Sequence, residues 1–209
     1  MYRSLALVAS LILTCATSLA GISLEAAQES IEDYPVITVH VYNYAQIPAL
    51  RLARTQKRVE GFFLGAGIQL KWADTPLPSA GRPRPAGPAW NPDGSDFVLK
   101  IVSGFPKSAG QMREPVFGFA AGPQVTVFNK RTEDIAFNAE VTHPEILAIV
   151  IAHELGHDLL GPMSHADTGI MRPRMQPEDF RKAQCMSLSF TPEQAERMHR
   201  QVVQLMTQR

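Results

Sequence analysis

Apolar and polar residues alternate in the first patterned stretch of the chain, from Pro35 to Tyr42. Ile37, Val39 and Val41 fall on one side of an extended backbone, because successive side chains of a strand point to opposite faces. The pattern therefore predicts a strand with one face buried in the core. His40 falls on the opposite face, and we interpret it as an ordinary strand residue and not as a ligand.

The period changes to that of a helix over Ile47 to Ala66, and a second strand follows at Ile68 to Trp72. Pro48 suits the first turn of this helix, and Gly67 suits its C-terminal cap. The expected core face consists of Leu50, Val59, Phe62 and Phe63, and the expected solvated face of Arg51, Arg54, Lys57 and Arg58. A strand, a helix and a strand joined this closely predict a right-handed crossover between parallel strands.

A long segment from Asp74 to Asp96 follows, with six prolines and three glycines. This content excludes a helix or a central strand. A connection of this length in a compact domain is either functional or disordered. Trp90 within it has two interpretations, a contact for substrate at the rim of a site or the packing aromatic of a proline-rich surface loop.

Three further strands and a terminal helix complete the expected domain. The strands are predicted at Phe97 to Val102, Val116 to Ala120 and Gln124 to Asn129, with Gly122-Pro123 turning the last two into a hairpin. The helix is predicted from Thr191 to Gln208, where Thr191 and Gln194 form a capping pattern. These elements indicate one α+β domain with a mixed sheet of about five strands.

The helix before the last third of the chain is apolar on every side. Thr142 or His143 caps it, Pro144 lies in its first turn, and Ile146 to Ala152 are all apolar. A helix that is apolar all round is buried all round. It should end near Leu160, because Gly161 favours a left-handed cap and Pro162 forbids continuation.

The end of this buried helix carries the motif H-E-x-x-H at His153, Glu154 and His157. Residues four apart lie on one helix face, so the two histidines can bind the same ion. Two imidazoles and a carboxylate buried without a partner would be costly, and a cation supplies that partner. Glu154 beside the ion can take a proton from metal-bound water, so the motif indicates a hydrolytic zinc site.

A third ligand should come from the segment after the helix. His165 is the preferred candidate, because the chain reverses at Gly161 and because three imidazoles leave a position open for water, as in catalytic zinc sites. Asp167 is the competing candidate. A downstream glutamate is a further alternative, although Glu178 falls in an expected loop and Glu193 at the start of a solvated helix.

Composition and the N-terminus limit the class of protein. The chain has 209 residues, 45% of them apolar, and its 20 basic and 20 acidic residues cancel, so nothing favours a nucleic acid or membrane-surface partner. Residues 1–20 have the charged start, apolar run and small residues of a secretory signal peptide, and the run is too short to span a membrane. Residues 21–34 should be flexible. Cys15 would leave with the signal, and Cys185 would remain as a small buried residue.

The stretch from His153 to Pro173 resembles the metzincin zinc endopeptidases, which combine a long H-E-x-x-H motif with a glycine, a third histidine and a downstream methionine. The wording H-E-L-G-H-x-L-L-G also resembles a group of secreted bacterial zincin-like proteins. The resemblance implies that Met171 lies in a tight turn beneath the metal and that residues 35–209 form a zincin-like catalytic domain. One departure is visible: the family places its glycine seven and its histidine ten residues after the first histidine, whereas Gly161 is at eight and His165 at twelve.

The function expected from these observations is a secreted or periplasmic zinc endopeptidase. Zn2+ would be held by His153, His157 and His165, with Glu154 as the general base. A peptide substrate would lie along the edge strand of residues 116–120 by strand addition, and the protein should be a monomer. The alternative is a zincin-fold binding module with weak or no catalysis, which the shifted spacing keeps open.

Overall fold

A mixed five-stranded sheet is the centre of the fold in the computed structural model, which describes residues 31–75, 96–104 and 117–207. The strands are β1 (Val36–Asn43), β2 (Gln69–Asp74), β3 (Asp96–Val102), β4 (Gly118–Ala121) and β5 (Gln124–Phe128). Their order is β2-β1-β3-β5-β4. All neighbouring strands are parallel except β4, which pairs antiparallel with β5 at the edge. The expected mixed sheet with one antiparallel edge strand is confirmed.

Five helices accompany this sheet in the described part of the chain: α1 (Ala49–Leu64), α2 (Asn129–Ala139), α3 (His143–Leu160), α4 (Pro177–Gln184) and α5 (Pro192–Thr207). Helix α1 connects the parallel strands β1 and β2, as expected of a crossover. Helix α3 is central, because it contacts α1, α2 and α5 as well as β4 and β5. The predicted crossover helix, buried helix and C-terminal helix are therefore all present.

The core lies between the sheet and the buried helix. Ile37, Val39 and Val41 of β1 are buried, as their alternation predicts, and so is the whole apolar run of α3 from Ile146 to Ala152. On the opposite face of β1, His40 is also buried, and its Nε2 lies 3.1 Å from the carboxylate of Asp96 at the start of β3.

The faces of α1 differ from the expectation in two places. Leu50, expected in the core, is 69% exposed, and the buried stripe instead runs through Leu52, Thr55, Val59, Phe62 and Phe63. Leu50 precedes Leu52 by two positions, about 200° around the helix, and so lies outside that stripe. Arg58, expected in solvent, lies 3.1 Å from the carboxylate of Glu145 and donates a hydrogen bond to the carbonyl of Ala183. The helix also ends at Leu64, before Gly67.

Helices α2 and α4 were not predicted. Strand β5 ends at Phe128, and Asn129, expected in the strand, begins α2. Glu178, expected in a loop, lies in the first turn of α4 and forms an ion pair with Lys182. Both helices bury few apolar side chains, so neither has the apolar periodicity by which a helix is recognised in a sequence.

Several predictions concern residues outside the described ranges. These are the signal peptide at 1–20, residues 21–30 of the expected flexible start, Trp90 in the proline-rich segment, and Val116. Ile31–Asp33 form one turn of 3-10 helix before β1. Cys185 is exposed, contrary to the expected burial. No helix within the described residues has both the length and the apolar character needed to cross a membrane.

Candidate metal centre

Helix α3 places His153 and His157 on the same face, one turn apart. Their ring centroids are 4.7 Å apart, and their two Nε2 atoms are separated by 3.1 Å. The four-residue spacing of the motif fixes this geometry, because one helical turn takes 3.6 residues. The two Nε2 atoms are therefore close enough to bind a single ion.

The chain reverses after α3 and brings His165 back to the rings of His153 and His157. Gly161 makes the turn with φ 92° and ψ 167°. This is an extended conformation with positive φ, not the left-handed helical cap that we expected, and only glycine adopts it readily. The ring of His165 lies 5.3 Å from that of His153 and 4.8 Å from that of His157. One nitrogen from each of the three rings lies within 4.8 Å of the others, so the three could hold a metal ion.

Hydrogen bonds from the chain orient the first two rings. His153 donates from Nδ1 to the carbonyl of Ile170 at 2.8 Å. His157 Nδ1 lies 3.1 Å from the hydroxyl of Ser164 and 3.3 Å from the carbonyl of Gly161. A ring that donates from Nδ1 keeps a lone pair on Nε2, which is the form of imidazole that binds a metal.

The same burial that surrounds the rings disfavours their charged forms. Burial lowers the pKa of His153 to about 4, against the smaller opposing effect of the hydrogen bond to Ile170. Burial also lowers the pKa of His157. Both imidazoles are therefore neutral near pH 7, as metal ligands must be.

Glu154 lies next to the three histidines and is 7% exposed. Burial, with a smaller contribution from the carboxylate of Asp158, raises the pKa of Glu154 to about 7. Burial raises the pKa of Asp158 to about 7 as well. The Glu154 side chain packs against β4, since a Cβ atom at Gly118 would lie 3.0 Å from its Oε1. The carboxylate is thus held between the histidines and the edge strand.

Met171 lies fully buried against the helix that carries the histidines. A Cβ atom at Gly156, the residue before His157, would lie only 2.5 Å from the sulfur of Met171. The amide of Ala166 donates to the carbonyl of Met171 at 3.0 Å and closes the loop between them. This loop supplies the Ile170 carbonyl that orients His153.

The acidic candidates for the third ligand do not lie among the three histidines. Among the described residues, the group that could hold a metal ion consists of the three histidines, and Asp167 is not part of it. The carbonyl of Asp167 instead accepts a hydrogen bond from Arg172 at 2.6 Å. Glu178 pairs with a lysine in α4, and Glu193 is exposed at the start of α5. Arg172 forms an ion pair with buried Asp179 at 2.8 Å and also lines the cleft described next.

An open cleft of about 450 Å³ runs beside the histidines. Its lining includes Gly118, Phe119 and Ala120 of the edge strand and the segment from Arg172 to Met175. The cleft adjoins a larger cavity of about 1140 Å³, and four residues line both: Phe117, Pro173, Arg174 and Met175. A bound molecule could therefore contact the histidines, the carboxylate of Glu154 and a sheet edge at once.

Three supporting groups of this site were not predicted: the Ile170 carbonyl, the Ser164 hydroxyl and the side chain of Gln194, which donates to the carbonyl of Ser164 at 3.0 Å. Backbone carbonyls have no signature in a sequence. Gln194 was recognised only as part of a helix-capping pattern, and its second contact spans 30 residues. The capping pattern identifies the start of the helix, but it does not indicate that the Gln194 side chain also contacts Ser164.

The fold resembles that of an archaemetzincin. The archaemetzincin of Methanopyrus kandleri superposes with a TM-score of 0.50 at 19% identity, over 80% of this chain and 96% of that one. A zinc-dependent peptidase from Methanocorpusculum labreanum aligns at 14% identity and a TM-score of 0.47, over 77% of this chain and 99% of its own. Metalloproteinase-II of Bacteroides fragilis aligns at 13% and 0.46, over 80% of this chain and 53% of its own.

At 19% identity the likeness concerns the fold alone, and it confirms the expected single α+β domain with a mixed five-stranded sheet and several helices. No protein-family model and no curated protein sequence matches the chain. The chemistry must therefore be argued from the site itself.

Proposed function

We propose that this chain is a secreted, metzincin-like zinc endopeptidase. The observation that carries the proposal is the convergence of three imidazole rings on one point, beside a buried carboxylate and an open sheet edge. His153, His157 and His165 would hold the metal, and Glu154 would be the catalytic residue. His153, His157 and Glu154 each have a neighbour that helps to fix their position.

The donor set fits zinc. With both Nδ1 atoms engaged in hydrogen bonds, the Nε2 lone pairs of His153 and His157 face each other at 3.1 Å. Two lone pairs this close repel, and a cation between them removes the repulsion. Imidazole nitrogens are common ligands of zinc, and His153, His157 and His165 would together supply three of them. Zinc held in this way supplies a Lewis acid that polarises a carbonyl and lowers the pKa of water.

Glu154 has the position of a proton carrier. Its carboxylate borders the cleft next to the histidines, where it could accept a proton and release it again. In peptide hydrolysis Glu154 would accept a proton from the attacking water and pass it to the amine that leaves when the C–N bond breaks. Gly118 keeps this carboxylate against the substrate-facing strand, because any side chain there would displace it.

The free edge of β4 suits an extended peptide. The amide of Phe128 donates to the carbonyl of Phe117 at 2.9 Å, which makes these two residues a hydrogen-bonded pair. Hydrogen-bonded and open pairs alternate along an antiparallel ladder, so the N–H and C=O groups of Gly118 and Ala120 point away from β5. No described strand pairs with them. A peptide added at this edge would lie across the cleft and past the histidines.

The adjoining cavity supports a preference for one class of substrate side chain. Its described lining is mainly apolar and contains Arg174 and Arg181 but no acidic residue. We infer that peptides with a large apolar residue to one side of the cleaved bond, without a neighbouring lysine or arginine, are preferred. Residues 1–20 support export of the protein from the cytoplasm, and a monomer remains our proposal for its state in solution.

The deciding experiment is digestion of a peptide library by the purified chain, with zinc, with a chelator, and after zinc is restored. We expect zinc-dependent cleavage beside large apolar residues. Glu154→Gln should abolish cleavage with zinc still bound, whereas Glu193→Gln, on an exposed glutamate, should cleave as the wild type does. Full activity of Glu154→Gln refutes the mechanism. A wild-type chain that binds zinc and peptides but cuts none of them is instead the binding module.

A further inference from the structure

The first turn of α5 contacts the segment that carries the third histidine. The side-chain amide of Gln194 donates to the carbonyl of Ser164 at 3.0 Å, and Ser164 immediately precedes His165. Gln194 is only 6% exposed, so water cannot readily replace this bond. A C-terminal helix is thereby attached to the loop next to the metal centre.

The amide of Gln194 is fixed at its other end as well. Its Oε1 accepts the backbone N–H of Thr191 at 3.2 Å, and the hydroxyl of Thr191 accepts the backbone N–H of Gln194 at 3.3 Å. This is a capping box, which ties the side chain to the helix start. Rotation of the amide by half a turn would lose both the cap contact and the Ser164 contact, so the NH2 group has one orientation.

Ser164 passes this constraint to His157. Its hydroxyl donates to the carbonyl of Gly161 at 2.6 Å, so a lone pair of the same oxygen is left to accept the Nδ1–H of His157 at 3.1 Å. This bond keeps the Nε2 lone pair of His157 directed at the other two rings. Gln194 therefore acts on two ligands, on His157 through the Ser164 hydroxyl and on His165 through the backbone.

The segment just before α5 supports the remaining histidine. The carbonyl of Ser189 accepts the N–H of Ile170 at 3.0 Å, and the carbonyl of Ile170 accepts the Nδ1–H of His153 at 2.8 Å. Residues 189–194 are thus connected to all three rings, each through a single intervening residue or peptide bond.

We propose that Gln194 is a positioning residue of the metal centre: its amide holds Ser164 so that His157 and His165 bind one ion. The inference rests on the proposed metal site but not on peptide hydrolysis. Outer hydrogen-bond partners of metal ligands are worth about 10–100-fold in metal affinity. The competing explanation is that Gln194 only caps α5, in which case its loss would weaken the fold and leave zinc binding intact.

Three variants of the full chain separate these explanations. Gln194→Glu keeps an oxygen for the Thr191 N–H but places a carboxylate oxygen against the Ser164 carbonyl, and Gln194→Met removes both contacts. Thr191→Ala is the matched control, because it damages the cap and leaves the Ser164 contact in place. Zinc affinity is measured by competition with a chelator, folding by thermal unfolding of the metal-free protein, and ligand geometry by the visible absorption of bound cobalt(II).

Both Gln194 variants should weaken zinc binding by about 10–100-fold and alter the cobalt spectrum. Thr191→Ala should lower the melting temperature with zinc affinity and spectrum unchanged. The proposal is overturned if Gln194→Glu binds zinc with wild-type affinity and spectrum, or if Thr191→Ala loses as much affinity as the Gln194 variants. If Gln194→Met does not fold, Gln194→Glu decides by the same criteria. A wild-type chain without zinc affinity overturns the metal site itself.

Discussion

Gly156 offers a direct test of the contact between Met171 and the helix that carries His153 and His157. It lies one turn before the end of α3, between the two helix-borne histidines, and a Cβ atom there would lie 2.5 Å from the Met171 sulfur and 3.2 Å from a ring carbon of Phe190. Met171 is fully buried, so its sulfur has no solvent to move into. We predict that Gly156→Ala destabilises the protein, although alanine is the better helix former.

Gly61 in α1 is the matched control. It also lies about one turn before the end of its helix, and a Cβ atom there would meet nothing within 4 Å. Gly61→Ala should therefore gain helix propensity alone, up to about 1 kcal/mol. Gly156→Ala gains the same amount but pays for an overpacked core, at about 1–3 kcal/mol. The free energy of unfolding of Gly156→Ala should thus lie about 1–3 kcal/mol below that of Gly61→Ala.

The assay is denaturant unfolding of the metal-free proteins, completed as a double-mutant cycle with Met171. Met171→Ala alone should cost about 2–5 kcal/mol through the cavity that it leaves. In that background the new methyl group has room, so the cost of Gly156→Ala should shrink or reverse, with a coupling of about 0.5–3 kcal/mol. Equal gains from both glycine substitutions, or a coupling of zero, would refute the contact between Met171 and the helix.

Three further predictions concern the site. In metal-free protein the pKa of Glu154 is about 7, against its usual 4.5, so between these pH values only the folded chain keeps the proton, and stability falls as pH rises. In urea unfolding, the stability of Glu154→Gln relative to the wild type should therefore rise by up to about 3 kcal/mol between pH 5 and 8. A difference that stays constant with pH would contradict this. His165→Ala should weaken zinc binding by more than about 100-fold in a chelator competition and Asp167→Ala should not; the reverse result would make Asp167 the ligand. Ala120→Pro should fold normally, because the lost N–H faces the open edge, yet weaken peptide binding about tenfold by fluorescence titration; unchanged binding would exclude strand addition there.

The elements that could be predicted are those whose buried residues form a regular pattern in the sequence. Strand β1 alternates, and the run from Ile146 to Ala152 makes α3 apolar on every side, so each has a pattern typical of one structure. Helix α2 fully buries only Asn129, Thr132 and Ala136, and its largest apolar side chain, Phe137, is exposed, so its sequence shows no clear apolar stripe. Helix α2 packs mainly against α3, the next element in the chain, and no apolar stripe in its own sequence marks that contact.

Arg58 shows the same limit for a single side chain. On the helix surface it looks like one of several solvated arginines, and its spacing is correct for that interpretation. Its actual partners are Glu145 of α3 and the carbonyl of Ala183, which is 125 residues away in the chain. Its guanidinium also lies 4.6 Å above the ring of Phe62. Only the packing of α1 against α3 and α4 brings these groups together, so the sequence could not assign them.

The residues of the candidate metal centre also differ in how well the sequence predicts them. His153, Glu154 and His157 could be identified because one helical turn fixes their relation, whereas His165 depends on a reversal whose path the sequence does not give. The longer spacing between His153 and His165 is accommodated by the backbone of Gly161, which has a positive φ and an extended ψ. Glycine adopts this conformation readily, and other residues strongly disfavour it. A turn of this kind leaves the helix at once, so only three residues separate Gly161 from His165, whose ring reaches the other two. The third histidine therefore depends less on its distance from the motif than on the glycine that ends the helix and on Ser164, which Gln194 holds in place.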